Sequence, residues 1–279
     1  MTRLAAAVAA AAERLAAEHD SARLDAEILL GHVLGRGRAY LYAWPEAELA
    51  PDQETAFEAL VARRAAGEPV AYLVGRREFW SLSLAVAPGT LIPRPETETL
   101  VEAVLARVPP EAESKLADLG TGSGAVALAL ATERPGCRIV ASDRSAGALA
   151  VARANAEALG LAQVEFREGD WLQALGAERF AVIAANPPYI PETDPHLERG
   201  DVRFEPRAAL AAGPDGLDAI HRLIAAAADH LDPGGWLVLE HGWDQGPAVR
   251  ALMAEAGAEM VSTETDLEAR ERVTAGQWR

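Results

Sequence analysis

Apolar positions in the first quarter of the chain follow a helical pattern. They recur at intervals of three and four residues over 4–18, 22–34 and 52–66, the spacing that places apolar side chains on one face of a helix. Gly67 follows the third stretch, and glycine commonly ends a helix. The pattern therefore predicts a small helical domain over residues 1–75, within the usual size range of a domain.

The spacing becomes alternating after residue 76. Residues 82–86 alternate between apolar side chains and small or polar ones, which is typical of a strand with one buried face. Pro88 and Gly89 then signal a turn, and residues 90–92 are suited to a return strand. We expect a β-hairpin linker over residues 76–95 that joins the helical domain to the rest of the chain.

From residue 96 to the end of the sequence, short apolar runs of strand length alternate with helical stretches. Such alternation is typical of a doubly wound, mainly parallel sheet with helices on its faces. The last two strands are suited to an antiparallel pair. The predicted strands are 115–119, 138–142, 164–167, 180–185, 236–240, 259–263 and 273–278.

Composition and charge narrow the classes of function. The 279 residues carry a formal net charge of −16, which argues against a nucleic-acid-binding surface because such surfaces need clustered basic residues. Cys137 is the only cysteine, so no internal disulfide can form and a cysteine-based metal site is not expected. No apolar run reaches the roughly 18 residues that span a membrane. We expect a cytoplasmic protein without bound metal or membrane partner, and a monomer by default.

A stiff corner follows one of the predicted strands. The apolar run 180–185 ends abruptly in Asn186-Pro187-Pro188-Tyr189. Prolines lack a backbone N–H and fix φ at about −65°, and they push the preceding residue towards an extended conformation. The corner lies at the carboxyl end of a strand, where α/β sheets bind ligands. It offers an amide side chain, several carbonyls and an aromatic ring, which suits a planar amide or amine substrate.

A glycine-rich loop joins the first predicted strand of the sheet to its helix. Glycines allow a tight turn and a close approach to a ligand. Asp143 ends the second strand, 19 residues after Gly124, a spacing that suits a carboxylate bonded to ribose hydroxyls. We therefore expect a nucleoside-containing cofactor at Asp143 and the loop. The loop residues expected to bind it are Asp118, Gly120, Thr121, Gly122, Ser123 and Gly124.

The loop alone leaves two kinds of cofactor open. Its glycines, with Ala125, also satisfy the dinucleotide pattern G-x-G-x-x-G/A. Alternating glycines led by an acidic residue are more typical of S-adenosylmethionine binding, since Asp118 would repel a pyrophosphate but not the amino group of a sulfonium ligand. Asp170 and Trp171 follow the third strand. There the indole can stack on adenine while Asp170 or a backbone group binds the exocyclic amine.

Together these motifs resemble class I S-adenosylmethionine-dependent methyltransferases that act on a planar nitrogen. Three further segments narrow the resemblance to the HemK/PrmC family, the protein-(glutamine-N5) methyltransferases of class I peptide chain release factors. These segments are Leu91-Ile-Pro-Arg-Pro-Glu-Thr-Glu98, Glu205-Pro206-x-x-Ala-Leu210 and Glu240-His-Gly242. The resemblance covers nearly the whole chain. It implies a seven-stranded, Rossmann-like α/β methyltransferase domain over 96–279, preceded by the β-hairpin and by a helical substrate-recognition domain over 1–75.

The resemblance also implies a reaction and the residues that perform it. S-adenosylmethionine would methylate the side-chain amide nitrogen of the glutamine in a Gly-Gly-Gln motif of a release factor, leaving S-adenosylhomocysteine. Asn186, which also borders the cofactor, and the Pro187 carbonyl would each accept one amide N–H, which orients the nitrogen and stabilises its developing positive charge. Pro188 completes the corner, and Tyr189 would pack on the amide plane.

Other interpretations of the same motifs remain open. A nucleic-acid adenine methyltransferase shares Asn-Pro-Pro-Tyr but agrees poorly with the net charge of −16. A related enzyme that methylates a ribosomal-protein glutamine is a closer alternative than the adenine methyltransferase. A binding module without catalytic activity is the third alternative, and the presence of both Asp143 and Asn186 argues against it.

Several residues near these motifs carry weaker signals. Ala269 stands where the family commonly has glycine, which puts the shape of that loop in doubt. Arg94, between two prolines, is suited to a helix entry or to the mouth of the active site. The acidic residues of 192–205 are expected to form a solvated loop. Three histidines without metal-ligand spacing are expected on helix surfaces or in packed positions: His221, His230 and His241.

Overall fold

The computed structural model describes residues 2–17 and 19–279 and divides into two compact units. The smaller unit runs up to Arg76 and includes the distant segment Gly200–Phe204. The larger unit contains the remainder of the chain.

The smaller unit consists of helices. The three predicted helices are present, although Met1 and Glu18, which the predicted domain and first helix included, lie outside the described residues. Two further helices of six and five residues were not predicted, because so short a segment does not display a period of 3.6. The helices are α1 (Leu4–Leu15), α2 (Ala22–Leu34), α3 (Arg38–Ala43), α4 (Pro51–Ala65) and α5 (Val70–Val74).

A buried ion pair joins two helices of this unit. Arg64 of α4 donates from Nε to Oδ2 of Asp25 in α2 over 2.7 Å, and both side chains are buried. The Arg64 Nη1 also reaches Oδ1 of Asp201 over 2.5 Å. Because a buried charge needs partners, Arg64 holds the segment that contains Asp201 against the helices of its own unit.

A β-hairpin is present, but its strands differ from those predicted. It pairs β1 (Arg76–Phe79) with β2 (Leu82–Ala85). Trp80 and Ser81 form the turn with φ of 52° and 59°, and positive φ at both central residues is typical of the type I′ turn that matches the twist of a hairpin.

The expected return strand at residues 90–92 is wrong. Pro88 and Gly89 do turn the chain, and the Thr90 N–H donates to the carbonyl of Ala87 over 3.0 Å. The N–H of Ile92 is bonded over 2.9 Å to the side chain of Glu205 instead of a neighbouring strand. An extended segment whose backbone donor is taken by a side chain cannot extend a ladder.

The larger unit contains the predicted seven-stranded sheet. Its spatial order is β5-β4-β3-β6-β7-β9-β8, with parallel pairing from β5 to β7 and antiparallel pairing of β9 with both β7 and β8. The strands are β3 (Lys115–Leu119), β4 (Arg138–Asp143), β5 (Val164–Glu168), β6 (Phe180–Ala185), β7 (Leu231–Glu240), β8 (Glu259–Thr265) and β9 (Glu271–Gln277). The helices are α6 (Glu98–Leu105), α7 (Ala125–Glu133), α8 (Ala146–Leu159), α9 (Asp218–His230) and α10 (Gly246–Glu255).

The order of the strands reverses between β3 and β6. From β3 the chain proceeds outward through β4 and β5, and it then returns to the other side of β3 with β6. The carboxyl ends of β3 and β6 therefore border a crevice, the place where open α/β sheets bind ligands.

The loop between β8 and β9 turns at Ala269 with a φ of 58°. Asp266 organises this loop: its Oδ1 accepts the backbone N–H groups of Glu268 and Arg270, each over 3.0 Å, and its Oδ2 accepts from Arg272. The loop has a defined shape even though Ala269 stands where the family resemblance led us to expect glycine. This shape places Ala269 in the left-handed region, which is unfavourable for a residue that has a Cβ.

We predict that Ala269→Gly stabilises the protein. The substitution removes a left-handed alanine that costs about 1–2 kcal/mol, and part of this gain is offset by the larger entropy of glycine in the unfolded chain. The expected net increase in the free energy of unfolding is about 0.5–1 kcal/mol, measured by urea denaturation.

The matched control is Ala251→Gly, an exposed position in the middle of α10. There glycine should lower the free energy of unfolding by about 0.5–1 kcal/mol, because it only loosens a helix. Equal destabilisation by both substitutions would contradict the assigned conformation of Ala269.

Candidate active site

A cavity of about 610 Å³ lies at the carboxyl ends of four parallel strands. Each strand contributes a residue just at or beyond its end: Gly120 after β3, Asp143 in β4, Gly169 after β5 and Asn186 after β6. Several of the residues predicted from sequence line this cavity together: Gly120, Gly122, Asp143, Asp170, Trp171, Asn186 and Pro188.

The glycine loop forms one wall because its backbone is exposed to the cavity without side chains. Gly120 and Gly122 have φ of 71° and 58°, a region that disfavours other residues. A Cβ at Gly120 would lie 3.0 Å from the indole ring of Trp171, so the ring packs closely against the loop. Trp171 is half-buried and itself has a φ of 49°, which shows that the loop after β5 is held in a strained form.

Asp118 supports the loop from behind. Its carboxylate is buried, and Oδ2 accepts the hydroxyl of Thr121 over 2.6 Å and the N–H of Ala127 over 3.2 Å. Burial raises the pKa of Asp118 to about 6. The expected contact of this carboxylate with the amino group of a cofactor stays a prediction. Oδ2 is bonded to the loop and to the start of α7, and Oδ1 accepts no hydrogen bond within residues 2–17 and 19–279.

Thr121, Ser123 and Gly124 also lie behind the wall. The side chains of Thr121 and Ser123 are buried, and the Ser123 carbonyl accepts from the amide of Asn155 over 2.9 Å. Gly124 starts α7 with a φ of 88°, and a Cβ there would come within 3.2 Å of Ala152. These residues fix the position of the loop, while Gly120 and Gly122 present it to the cavity.

Asp143 faces the cavity from the end of β4. Its Oδ2 accepts the N–H of Gly122 over 3.0 Å, and its Oδ1 accepts the N–H of Ser145 over 2.8 Å. Each carboxylate oxygen has further acceptor capacity, so Asp143 can take two hydroxyl donors while it remains tied to the glycine loop.

Asp170 faces the same cavity beside two arginines that the sequence did not indicate. Its Oδ2 accepts from Nη2 of Arg222 over 2.5 Å, and Arg144 lines the cavity nearby. Arg222 lies on α9 without any motif around it, and the chain has many exposed arginines, so no signal in the sequence distinguished it.

The corner at the end of β6 holds the Asn186 amide in one orientation. Asn186 lines the cavity, and its Nδ2 donates to Oγ1 of Thr97 over 3.1 Å. The other end of the amide, Oδ1, has no donor bonded to it among residues 2–17 and 19–279. An amide tied through its nitrogen presents its oxygen as an acceptor.

The remaining residues of the corner differ in exposure. Pro187 is buried, while Pro188 lines the cavity. Tyr189 is half-buried: its hydroxyl donates to Oε1 of Glu240 over 3.3 Å, and its carbonyl accepts from Gln245 over 3.0 Å. Burial and the neighbouring Glu240 raise the pKa of Tyr189, so its hydroxyl stays protonated. Its ring is not part of the cavity wall.

Glu240, at the end of β7, is a buried carboxylate that the sequence had marked only as part of a motif. Burial raises its pKa to about 7, and Thr97, Arg272 and Tyr189 oppose that rise. Its Oε2 has no hydrogen-bond partner among the described residues, and the Thr97 hydroxyl is near enough to the carboxylate to lower its pKa against the effect of burial. Tyr189 and Thr97 thus connect Glu240 to the corner.

Arg94 and Glu205 form an ion pair beside the site. The burial of Glu205 contradicts what we expected of the acidic loop. Arg94 donates to Oε1 of Glu205, whose other oxygen accepts the N–H of Ile92 over 2.9 Å. The Glu205 side chain is fully buried, so the expectation of a solvated acidic loop over 192–205 is wrong for this residue. An arginine partner and a backbone donor outweigh the tendency of a carboxylate to remain in water.

The three histidines singled out from the sequence are packed or lie on a helix, and the part of the chain that the structure describes contains no metal cluster. His241 is packed as expected, with its ring nitrogens 2.8 Å from the Gly242 carbonyl and from the Thr274 hydroxyl. Within residues 2–17 and 19–279, no group of three histidines, cysteines or carboxylates is arranged to hold a metal ion. No helix in that same part of the chain is long and apolar enough to cross a membrane.

Two family models match the chain. The PrmC N-terminal domain matches residues 6–75, and the methyltransferase small domain matches residues 96–199. The first covers the helical stretch before the hairpin, and the second covers β3 to β6 and the corner after it.

Solved methyltransferases share the fold at low sequence identity. A methyltransferase from Pyrococcus furiosus has a TM-score of 0.55 and 17% identity, over 79% of this chain and 96% of its own. A 16S rRNA methyltransferase of Thermus thermophilus, solved with AdoMet and guanosine, has a TM-score of 0.56 and 22% identity, over 73% and 50%. Both show a common fold.

Curated relatives match the chain at much higher identity. The release factor glutamine methyltransferase of Xylella fastidiosa strain Temecula1 is 56% identical over 97% of this chain and 96% of its own. Those of Escherichia coli strain K12 and Pseudomonas aeruginosa are 51% and 52% identical, over 93% and 92% of this chain and 93% of theirs. The chain belongs to the family of release factor glutamine methyltransferases.

Proposed function

We propose that this protein transfers the methyl group of S-adenosylmethionine to the side-chain amide nitrogen of the glutamine in the Gly-Gly-Gln motif of class I peptide chain release factors. The observation that carries the proposal is the Asn186 amide, tied through Nδ2 to Thr97 with Oδ1 free at the wall of the cavity. A free amide oxygen is an acceptor for the N–H of a substrate amide. The names of the relatives supply the class of substrate.

The cofactor would lie along the glycine loop. Asp143 would accept the two ribose hydroxyls, because it faces the cavity with acceptor capacity left on both oxygens. Gly120 and Gly122 would allow the cofactor to approach the backbone closely. Trp171 and Asp170 border the cavity where the adenine would bind. S-adenosylhomocysteine would remain after transfer.

The chemical difficulty is that an amide nitrogen is a weak nucleophile, since its lone pair is delocalised. Asn186 Oδ1 and the Pro187 carbonyl would each accept one N–H of the glutamine amide, which points the nitrogen at the sulfonium methyl group. Both oxygens also stabilise the positive charge that develops on nitrogen as the C–N bond forms. The S–CH3 bond would break as the C–N bond forms, and the nitrogen would then lose one proton to water, which restores a neutral amide.

Tyr189 would limit the movement of the corner. Its hydroxyl and carbonyl are both bonded, to Glu240 and to Gln245, so the backbone after the two prolines is held from two sides. Pro188 forms the cavity wall at this corner and Tyr189 does not, which gives no support to the expected packing of the Tyr189 ring on the amide plane.

The helical unit would recognise the protein substrate. Trp44 and Tyr42 follow one another closely in and after α3 and are 61% and 58% exposed. Exposed aromatic side chains are enriched in protein interfaces, because they bury much area with few rotatable bonds. A net charge of −16 opposes nucleic acid as the alternative substrate.

The proposed substrate is tested by mass spectrometry of candidate substrates after incubation with the protein and S-adenosylmethionine. We expect the Gly-Gly-Gln peptide of a release factor to become heavier by one CH2 unit. A release factor with glutamate in place of that glutamine is the control and should stay unmodified. Methylation of a ribosomal-protein glutamine or of adenine in DNA, with the release factor unchanged, would overturn the proposal.

Two substitutions should separate turnover from cofactor binding. Asn186→Ala removes an acceptor that matters most in the transition state, so we expect kcat to fall about 10²–10³-fold with little change in the Kd of S-adenosylmethionine. Asp143→Asn weakens charge-assisted hydrogen bonds to the ribose, so we expect the Kd to rise about tenfold or more. Single-turnover rates and calorimetric titration measure the two quantities.

The matched control for Asp143 is Glu168→Gln. Glu168 is an exposed carboxylate paired in register with Asp143 on the adjacent strand and lies outside the cavity wall. It should change neither quantity. Equal losses of kcat and cofactor affinity in Asn186→Ala would indicate a structural role for the corner and contradict the assignment.

The helical unit is tested by Trp44→Ala. We expect the substitution to lower kcat/KM for the intact release factor about tenfold, while turnover of a short Gly-Gly-Gln peptide stays unchanged. Leu24→Ala, at another exposed apolar position of the same unit, is the control and should affect neither substrate. Equal effects of Trp44→Ala on factor and peptide would contradict the recognition role.

A further inference from the structure

Glu240 is a buried acid with one oxygen left unpaired, close to the amide that would hold the substrate. The residue is 1% exposed, and Oε2 has no partner in ordinary hydrogen-bond geometry. Native proteins rarely leave a buried carboxylate oxygen unpaired, so such a group calls for an explanation. Replacing it by an apolar residue would be the simpler way to stabilise the fold.

The surroundings of Glu240 lead directly to Asn186. The Thr97 side chain is 5% exposed, adjoins the Glu240 carboxylate and accepts the Asn186 Nδ2 over 3.1 Å. Thr97 therefore lies between the buried acid and the amide that faces the cavity. A hydroxyl has one proton to donate. The direction in which Thr97 donates it therefore restricts how Glu240, Thr97 and Asn186 can be bonded to one another.

We propose that Glu240 is a positioning residue for Asn186: through the Thr97 hydroxyl, its ionised carboxylate determines which end of the Asn186 amide faces the cavity. An ionised carboxylate only accepts, so Thr97 must direct its single proton to Glu240. The Thr97 oxygen can then only accept from Asn186, which requires Nδ2 to point inward and Oδ1 outward. This inference rests on the proposed function, because Oδ1 matters only if the substrate offers an amide N–H.

A neutral Glu240 would release this constraint. A protonated carboxyl can donate to the Thr97 oxygen, which leaves the Thr97 proton free to bond Asn186 Oδ1. The amide could then turn about its last torsion, which is soft, and present Nδ2 to the cavity. A donor at that place would repel the N–H of a substrate amide. Protonation of Glu240 would thus allow the Asn186 amide to turn from the active orientation, with Oδ1 towards the cavity, to an inactive one with Nδ2 there.

The groups around Glu240 are compatible with titration near neutral pH. Burial raises the pKa of Glu240 to about 7, the negative charge of Glu96 adds to the rise, and Arg272 opposes it. Arg94 and Arg272 keep positive charge near Tyr189, whose raised pKa leaves it neutral. Burial lowers the pKa of the adjacent His241, which moves its titration away from that of Glu240. Glu240 is then the group in this cluster that changes charge around pH 7.

The first test observes the Asn186 amide itself and needs no substrate. The chain has only two asparagines, Asn155 and Asn186, so labelling with ¹⁵N-asparagine gives two side-chain amide signals. We expect the Asn186 signal to shift between pH 6 and pH 8 in the wild type and to stay constant in Glu240→Gln and in Thr97→Val. The Asn155 signal should stay constant in all three and serves as the internal control.

The second test measures kcat on the release factor as a function of pH. For one ionisation near pH 7, kcat of the wild type at pH 6 should be about one tenth of its value at pH 8. Glu240→Gln and Thr97→Val should lower kcat at pH 8 about tenfold and show no such dependence, with the Kd of S-adenosylmethionine unchanged. Thr97→Ser restores the hydroxyl and should restore both kcat and the pH profile. Thr99→Val, at another buried threonine two residues further on in α6, should match the wild type.

The outcomes are separable. An Asn186 signal that does not respond to pH, or that still responds in Glu240→Gln, overturns the positioning role even if the release factor is methylated. A wild type that shifts as expected but leaves the release factor unmodified contradicts the proposed function and keeps the positioning role. A pH profile of kcat in Glu240→Gln that equals the wild-type profile also overturns the positioning role.

Discussion

The site depends on the abrupt end of β6. Two prolines stop the strand at its carboxyl end, beside the crevice between β3 and β6, so that Asn186 is delivered to the cavity on a rigid part of the sheet. A single hydrogen bond from Nδ2 to Thr97 then determines the direction of the amide. Methyl transfer to a weak nucleophile needs alignment more than it needs an acid or a base, and a stiff corner provides alignment.

Buried carboxylates support the site from three sides. Asp118 holds the glycine loop to the start of α7, Glu205 holds Arg94 and the chain at Ile92, and Glu240 lies behind Thr97 and Tyr189. Burying a carboxylate is costly, and apolar replacements often stabilise a protein. Asp118 and Glu240 have raised pKa values, which means that the native state binds protons that the unfolded chain would release. Their contribution to stability therefore diminishes as the pH rises from the ordinary pKa, 3.8 for Asp118 and 4.5 for Glu240, through the raised value of each group. These buried carboxylates lower the stability of the fold, and in return they hold the polar groups of the site in fixed positions.

The sequence predicted those features that depend on neighbouring residues. The glycine loop, Asp143 and the corner at Asn186 are each encoded by a few adjacent positions at strand ends, and the sheet followed from alternation along the chain. The contacts of Asn186 with Thr97 and of Tyr189 with Glu240 join positions 89 and 51 residues apart, so no local pattern encodes them. Glu205 was expected in solvent because charged loops usually are, yet Arg94 and a backbone N–H bury it. The return strand at 90–92 failed for the same reason, since a distant side chain took its donor.

The central claim is that the Asn186 oxygen accepts the amide N–H of the substrate glutamine. A crystal structure of the protein with S-adenosylhomocysteine and a Gly-Gly-Gln peptide tests it most directly. The account predicts the glutamine nitrogen about 2.7–3.2 Å from Asn186 Oδ1, with Nδ2 still bonded to Thr97 and the cofactor ribose on Asp143. A glutamine bound with its carbonyl oxygen towards Asn186, or bound outside this cavity, would contradict it.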